Sequence, residues 1–177
     1  MAKIEILVPF IKSWEGGWSD SPHDKGGATM CGITLKTFTE WRTGQGLPAP
    51  TKQDLHDITD EEWLRIMRIK YWNRLRADQI ECQAVANMAV DWCWCSGSPA
   101  VRALQRLSGT TVDGIVGPKT IAAVNRCNPE RLFQELSQAR KEFLQRIVDN
   151  DPTQDRHLGG WLRRVRSIQF DKLILNR

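Results

Sequence analysis

The sequence has no apolar run approaching the roughly 18–20 residues that a membrane helix needs, so membrane insertion is not expected. The opening residues Met1-Ala2-Lys3-Ile4-Glu5 also lack the plan of an export signal. The stretch Ile6-Leu7-Val8-Pro9-Phe10-Ile11 is short, holds a proline and has no small-residue cleavage site. Synthesis in a cytoplasm is the expectation. A metal-binding pattern is missing too. The five cysteines, Cys31, Cys82, Cys93, Cys95 and Cys127, are odd in number, and Cys93-x-Cys95 has no matching pair at zinc spacing. Reduced thiols and no metal site follow from that. Internal repeats, low-complexity tracts and flexible linkers are absent, which excludes a string of loosely joined modules. What is present is 177 residues with 41% hydrophobic content, enough for one globular domain and too apolar for disorder.

Charge is unevenly spread. Residues 1–97 hold 11 basic and 13 acidic side chains, a net −2, and residues 98–177 hold 14 and 8, a net +6. A basic C-terminal half favours an anionic partner, either nucleic acid or a cell-wall or envelope polymer. A solvated helix surface explains the same charge without any partner.

Most of the chain reads as helix. Ile4, Leu7, Val8, Ile11 and Trp14 form one apolar stripe over Lys3 to Trp14. Pro9 is expected to restrict regular helix to its C-terminal side, and Gly16-Gly17 to end the helix in a left-handed conformation. Glu15 then falls in the last turn, between Trp14 and Trp18. The helix dipole disfavours an anion there, which suits a carboxyl that must hold a proton. A surface glutamate in a frayed turn is the plain alternative. Residues 19–34, with Asp20, Asp24, Gly26-Gly27, Thr29 and Gly32, carry turn chemistry and predict a small irregular hairpin. Further on, helices are expected over Leu35 to Arg42 with Thr34 as cap, and from the Thr59/Glu62 capping box toward Tyr71-Trp72. Thr43 to Lys52 reads as an exposed loop. Gln79 to Cys95 reads as a buried central helix. Asp91 inside it is expected to cap or orient backbone, since an unpaired buried carboxylate is costly. Helices then open at Ser98-Pro99, Pro118 and Asn128-Pro129, and a last one spans Gly160 to Leu175.

Glu15-Gly16-Gly17-Trp18, followed by Asp20, Asp24, Gly26-Gly27-x-Thr29 and Gly32-Ile33-Thr34, resembles the signature of glycoside hydrolase family 108. Tyr71-Trp72, Asp91-x5-Gly97 and Ala103-Leu104-Gln105-Arg106 extend the likeness. Val112-Asp113-Gly114-x2-Gly117-Pro118-Lys119-Thr120 and Gly160-Trp161-Leu162-x-Arg164-Val165 resemble the peptidoglycan-binding segment found C-terminal in the same proteins. That family holds N-acetylmuramidases, including phage-type endolysins. The resemblance implies a mainly α, lysozyme-like domain with a small β-hairpin near the active site. It divides the chain into a catalytic part, 1–95, and a peptidoglycan-binding helical part, 96–177, packed into one unit.

The likeness places the catalytic glutamate on Glu15, with Asp24 and Thr29 as weaker transfers. Thr29 falls one residue nearer to Glu15 than in the Glu, Asp, Thr triad of phage lysozymes. It also leads us to expect asparagine where Cys95 stands. Trp14, Trp18, Tyr71 and Trp92 or Trp94 are candidates to stack on sugar faces, although most of the eight tryptophans should be core. The implied reaction is cleavage of the β-1,4 bond between N-acetylmuramic acid and N-acetylglucosamine, without cofactor or metal. The implied partner is the peptidoglycan glycan strand, met by a monomer at the periplasm or cell wall after release through a holin or another export route. Two other readings stay open beside it. One is a lytic transglycosylase using Glu15 alone. The other is a non-catalytic wall-binding or secretion-assisting protein. A nucleic-acid binder ranks below both, for no reading motif accompanies the basic charge. The arginines Arg163, Arg164 and Arg166 are expected to face solvent and to help adsorption to anionic polymer.

Overall fold

Helix α1 spans Ile4–Trp14 and buries Ile4, Leu7, Phe10 and Ile11. The apolar stripe holds, but Pro9 does not delay the helix. Pro9 lies on the exposed side, so the backbone bond it cannot make is lost where water can replace it. The end of α1 also differs from expectation. Glu15 is the C-cap, extended at φ −87° and ψ 139°, and its N–H donates to Ile11 O at 3.1 Å. Gly16 and Gly17 are not among the residues with positive φ. The chain leaves the helix by extension rather than by a left-handed turn, which aims Glu15 away from the helix end.

The computed structural model describes residues 1–20 and 27–176. Within them, β1 (Trp18–Ser19), β2 (Thr29–Met30) and β3 (Ile33–Thr34) form a three-stranded antiparallel sheet in the order β1-β2-β3. Cys31 and Gly32 join β2 to β3 with φ of 47° and 79°. Positive φ at both central residues is the hairpin geometry that matches strand twist. The expected hairpin is therefore a small sheet, and Asp24 and Gly26 lie outside the described residues.

Helix α2 (Leu35–Gly44) follows at once, capped by Thr34, whose side chain accepts from Thr37 N. The expected loop up to Lys52 gives way to a short helix, α3 (Lys52–His56), with a Thr51/Asp54 capping box. Helix α4 (Asp60–Met67) starts at the Thr59/Glu62 box and runs into a π-helical turn at Arg68–Trp72. Helix α5 (Gln83–Ser96) is central and buries ten consecutive residues, Ala84 to Cys93. Helices α6 (Ser98–Leu107) and α8 (Pro129–Asn150) pack on it, α7 (Pro118–Arg126) packs on α6, and α9 (Asp155–Ser167) packs on α8. The last helix begins before and ends well short of the expected Gly160 to Leu175. An isolated bridge between Ile168 and Leu173 folds the tail back instead.

The fold is thus mainly α with a small sheet, as the sequence predicts. One hydrophobic cluster joins both halves of the chain: Leu7, Phe10 and Trp63 share it with Leu104, Leu136 and Val165. Packing of α8 on α5 and of α9 on α8 brings α9 against the end of α1, and this positions the site. No helix among the described residues is long and apolar enough to cross a membrane.

Candidate active site

Glu15 stands where four parts of the chain meet. Its Oε1 accepts from Trp94 Nε1 of α5 at 2.8 Å and from Arg164 Nη1 of α9 at 2.7 Å. The turn between β2 and β3 closes the third side. A Cβ placed on Gly32 would sit 2.5 Å from Glu15 Oε2 and 2.7 Å from the Trp94 ring. Only glycine fits there, both for space and for its φ of +79°. Trp63 of α4 fixes that turn by donating from Nε1 to Cys31 O at 2.9 Å. The Glu15 side chain is 16% exposed, so it is enclosed yet reachable.

An aromatic wall backs the carboxylate. Trp94 packs against Tyr71 of the π turn at 4.7 Å and against Trp63 at 5.4 Å between ring centroids. Burial pushes the Tyr71 phenol up from its ordinary value.

Behind Arg164 lies a buried chain of charge. Arg164 grips Asp91 with two nitrogens, Nη2 at 2.8 Å and Nε at 3.2 Å from Oδ1. The other carboxylate oxygen of Asp91 meets Arg140 Nη2 of α8 at 2.8 Å. Asp91 is fully buried. Burial by itself would raise its carboxyl, but Arg164 and then Arg140 outweigh it and hold the carboxyl below 3.8. Burial likewise opposes the Arg164 charge, while Asp91 and then Glu15 bind its proton more firmly than usual. Asp91 is thus paired with a cation on each oxygen, which is the condition for keeping such a charge away from water.

Of the predicted residues, Glu15 and Tyr71 come together here, and Thr29 lies in the strand that enters the Gly32 turn, its Oγ1 donating to Gly27 O. Trp18 is 37% exposed on β1, edge-on to His56. Trp14 is half-buried against Phe10. Asp24 lies outside the described residues.

Three expectations are corrected. Trp92 is 2% exposed and packs on Phe143, so no sugar can lie on its ring. Two residues along a helix turn a side chain by about 200°, and it is Trp94 that faces Glu15. Arg164 does not face solvent: its side chain is 11% exposed, whereas Arg163 and Arg166 are exposed. Asp91 binds two guanidinium groups rather than backbone. Its position held a signal, for a carboxylate in an apolar helix demands cationic partners, but not the address of those partners.

Cys95, standing where asparagine was expected, meets the same cluster. Its Sγ accepts from Arg140 Nη2 at 3.4 Å. It lines a cavity of about 150 Å³ with Ser96, Arg140, Leu144, Ile147, Trp161 and Arg164. Cys95 is itself solvent-exposed, and the protein beneath the thiol, with Asp91 nearby, raises its pKa above the ordinary thiol value. Among the described residues no group of three or more His, Cys, Asp or Glu could hold a metal ion.

The family model described as glycosyl hydrolase 108 matches residues 8–97, and the model described as a predicted peptidoglycan domain matches residues 99–166. Among solved structures, the chain is similar to that of Brucella abortus SagA, at 32% identity and a TM-score of 0.79, covering 97% of this chain and 94% of that one. No curated protein matches the chain significantly. Glu15 and Asp91 fall in the first match, Arg140 and Arg164 in the second.

Proposed function

Since this chain belongs to the glycosyl hydrolase 108 family, we propose that it cleaves the β-1,4 bond between N-acetylmuramic acid and N-acetylglucosamine, with Glu15 as the general acid. At the coarser level it is a glycoside hydrolase with a lysozyme-like fold, and peptidoglycan is its substrate polymer. The observation that carries the finer reading is the grip on one carboxylate oxygen. Trp94 and Arg164 both donate to Oε1, and among the described residues no donor reaches Oε2. A carboxyl fixed through one oxygen can present the other, protonated, to the leaving glycosidic oxygen.

Asp24 takes the second carboxylate role, either stabilising the oxocarbenium-like centre or activating water, and Thr29 orients that water. The stereochemical course depends on the separation of Glu15 and Asp24. About 6.5–9.5 Å gives inversion and about 5–5.5 Å retention. Trp94 and Tyr71 form the aromatic wall nearest Glu15, and Trp18 of β1 is exposed. The enzyme acts as a monomer at the periplasm or cell wall after release from the cytoplasm.

The test is Glu15→Gln. The amide keeps the shape and still accepts from Trp94 and Arg164, but it has no proton to deliver. Peptidoglycan clearing should fall by about 10²–10⁴-fold with the fold intact. Wild-type clearing by the folded variant overturns the assignment. The mass of fragments released by the unaltered enzyme checks the reaction type, since hydrolysis leaves reducing ends and a transglycosylase leaves anhydro-sugars.

A further inference from the structure

We propose that Arg140 is a positioning residue for the reaction, acting on Glu15 through Asp91 and Arg164. The C-terminal segment then completes the catalytic centre as well as holding the wall. The inference rests on the reading of Glu15 as the acid.

The path is continuous and short. Arg140 Nη2 lies 2.8 Å from Asp91 Oδ2, Arg164 Nη2 lies 2.8 Å from Asp91 Oδ1, and Arg164 Nη1 lies 2.7 Å from Glu15 Oε1. It runs from α8 through α5 and α9 to the end of α1. Glu15 and Arg164 are 149 residues apart in the chain.

Arg140 is 2% exposed, so it is not placed to touch a polymer outside the protein. Its remaining contacts are with sulfur, Cys95 Sγ at 3.4 Å and Met88 Sδ at 3.9 Å, and among the described residues its Nε has no partner. A cation so poorly satisfied on its other sides is held there by Asp91. Stability does not require this arrangement, because apolar residues of similar volume often replace buried ion groups at no loss. What the second arginine adds is orientation. Asp91 with one partner could swing; with Arg140 fixing Oδ2 it presents Oδ1 to Arg164 at one angle. Arg164 is planar and uses its fork on Asp91, so the direction of its free Nη1 toward Glu15 is set by that grip.

Arg140 also acts by charge. The titratable and charged groups around Glu15 are Arg164 of α9, Asp91 and Cys95 of α5, Cys31 of the Gly32 turn and Tyr71 of the π turn. Removing Arg140 leaves Asp91 less neutralised, and the field at Glu15 becomes more negative.

The experiment compares Arg140→Met with Arg146→Met, an exposed arginine on the same helix, on soluble glycan fragments over a range of pH. Arg140→Met should lower kcat by roughly 10- to 100-fold, the scale of a displaced catalytic group. KM should stay within about twofold, and binding to sacculi should be unchanged. Arg146→Met should match wild type. If Arg140→Met does not fold, Arg140→Lys replaces it: the charge stays, the fork is lost, and kcat should still fall severalfold. Wild-type kcat in a folded Arg140 variant, or a raised KM with intact kcat, overturns the proposal. Glu15→Gln is run beside it. If Glu15→Gln is inactive while the Arg140 variant is normal, only the positioning role fails. If Glu15→Gln is active, the reading of the acid fails and the positioning role with it.

Discussion

On its sheet side Glu15 is held by backbone, and on its α8–α9 side by ions. The first wall is the Cys31–Gly32 turn, short in sequence distance from Glu15 and shaped by positive φ and by the lack of a side chain. The second wall is Arg164 and, behind it, Asp91 and Arg140, drawn from distant helices. The difference teaches how the two kinds of constraint fail. A backbone wall fails by collision, locally and in one step. An ionic wall fails by loss of balance, since a buried cation without its anion is expensive wherever it sits.

The largest effect should come from the backbone wall. Gly32→Ala places a methyl 2.5 Å from Glu15 Oε2, inside any permitted contact, and also strains a φ of +79°. Gly46→Ala has nearly the same strain, φ +74°, but nothing within 4 Å. Both variants should lose about 1–3 kcal/mol of stability. Only Gly32→Ala should lose turnover, by roughly 10²-fold. Chemical denaturation and kcat on soluble glycan, measured side by side, separate strain from collision. Equal turnover in the two variants would show that the sheet wall does not shape the site.

The same contrast explains what could be read from the sequence. The local wall was legible: Gly27, Gly32 and the Thr34 cap are close together, and their residue types state their geometry. The helices were legible from period and caps, as at Thr59/Glu62 and Asn128. The ionic wall was not. Arg164 lies in an amphipathic helix among exposed arginines, and nothing in its spacing marks it as the one that turns inward. Trp92 and Trp94 were separable only once the face of α5 was known. The end of α1 departs from the sequence expectation because Glu15, rather than a glycine, makes the extended cap. The α9 boundaries slipped because the tail bridge at Ile168 and Leu173 is a tertiary contact.

A middle-sized effect tests the ionic wall by stability. Asp91→Asn keeps shape and removes the charge between Arg140 and Arg164. Breaking a buried pair in this way costs about 3–5 kcal/mol at neutral pH. The carboxyl is held below 3.8 in the folded protein, so its contribution is full above about 3.8 and is lost as pH falls through the lower folded value. The Tm of wild type and of Asp91→Asn should therefore differ at pH 7 and converge as the pH is lowered past that point. A gap that persists undiminished to strongly acidic pH would place the cost of the variant in something other than charge.

The smallest effect lies just outside the ionic wall. Arg163 and Arg166 flank Arg164 in α9 but are exposed. Exposed charges are screened over roughly 8 Å at physiological salt, whereas a buried group such as Arg164 is screened far less. Replacing both with alanine should weaken pelleting with sacculi by less than about thirtyfold, since each exposed ion contact is worth under about 1 kcal/mol. Added salt should reduce pelleting of wild type toward the level of the double variant. Neither change should alter kcat on short soluble glycan, because Arg164 keeps its grip on Asp91 and Glu15. Salt-independent pelleting of the wild type would remove the adsorptive role from these arginines. A fall in kcat with full folding would mean that the boundary between exposed and buried arginine does not separate adsorption from catalysis in α9.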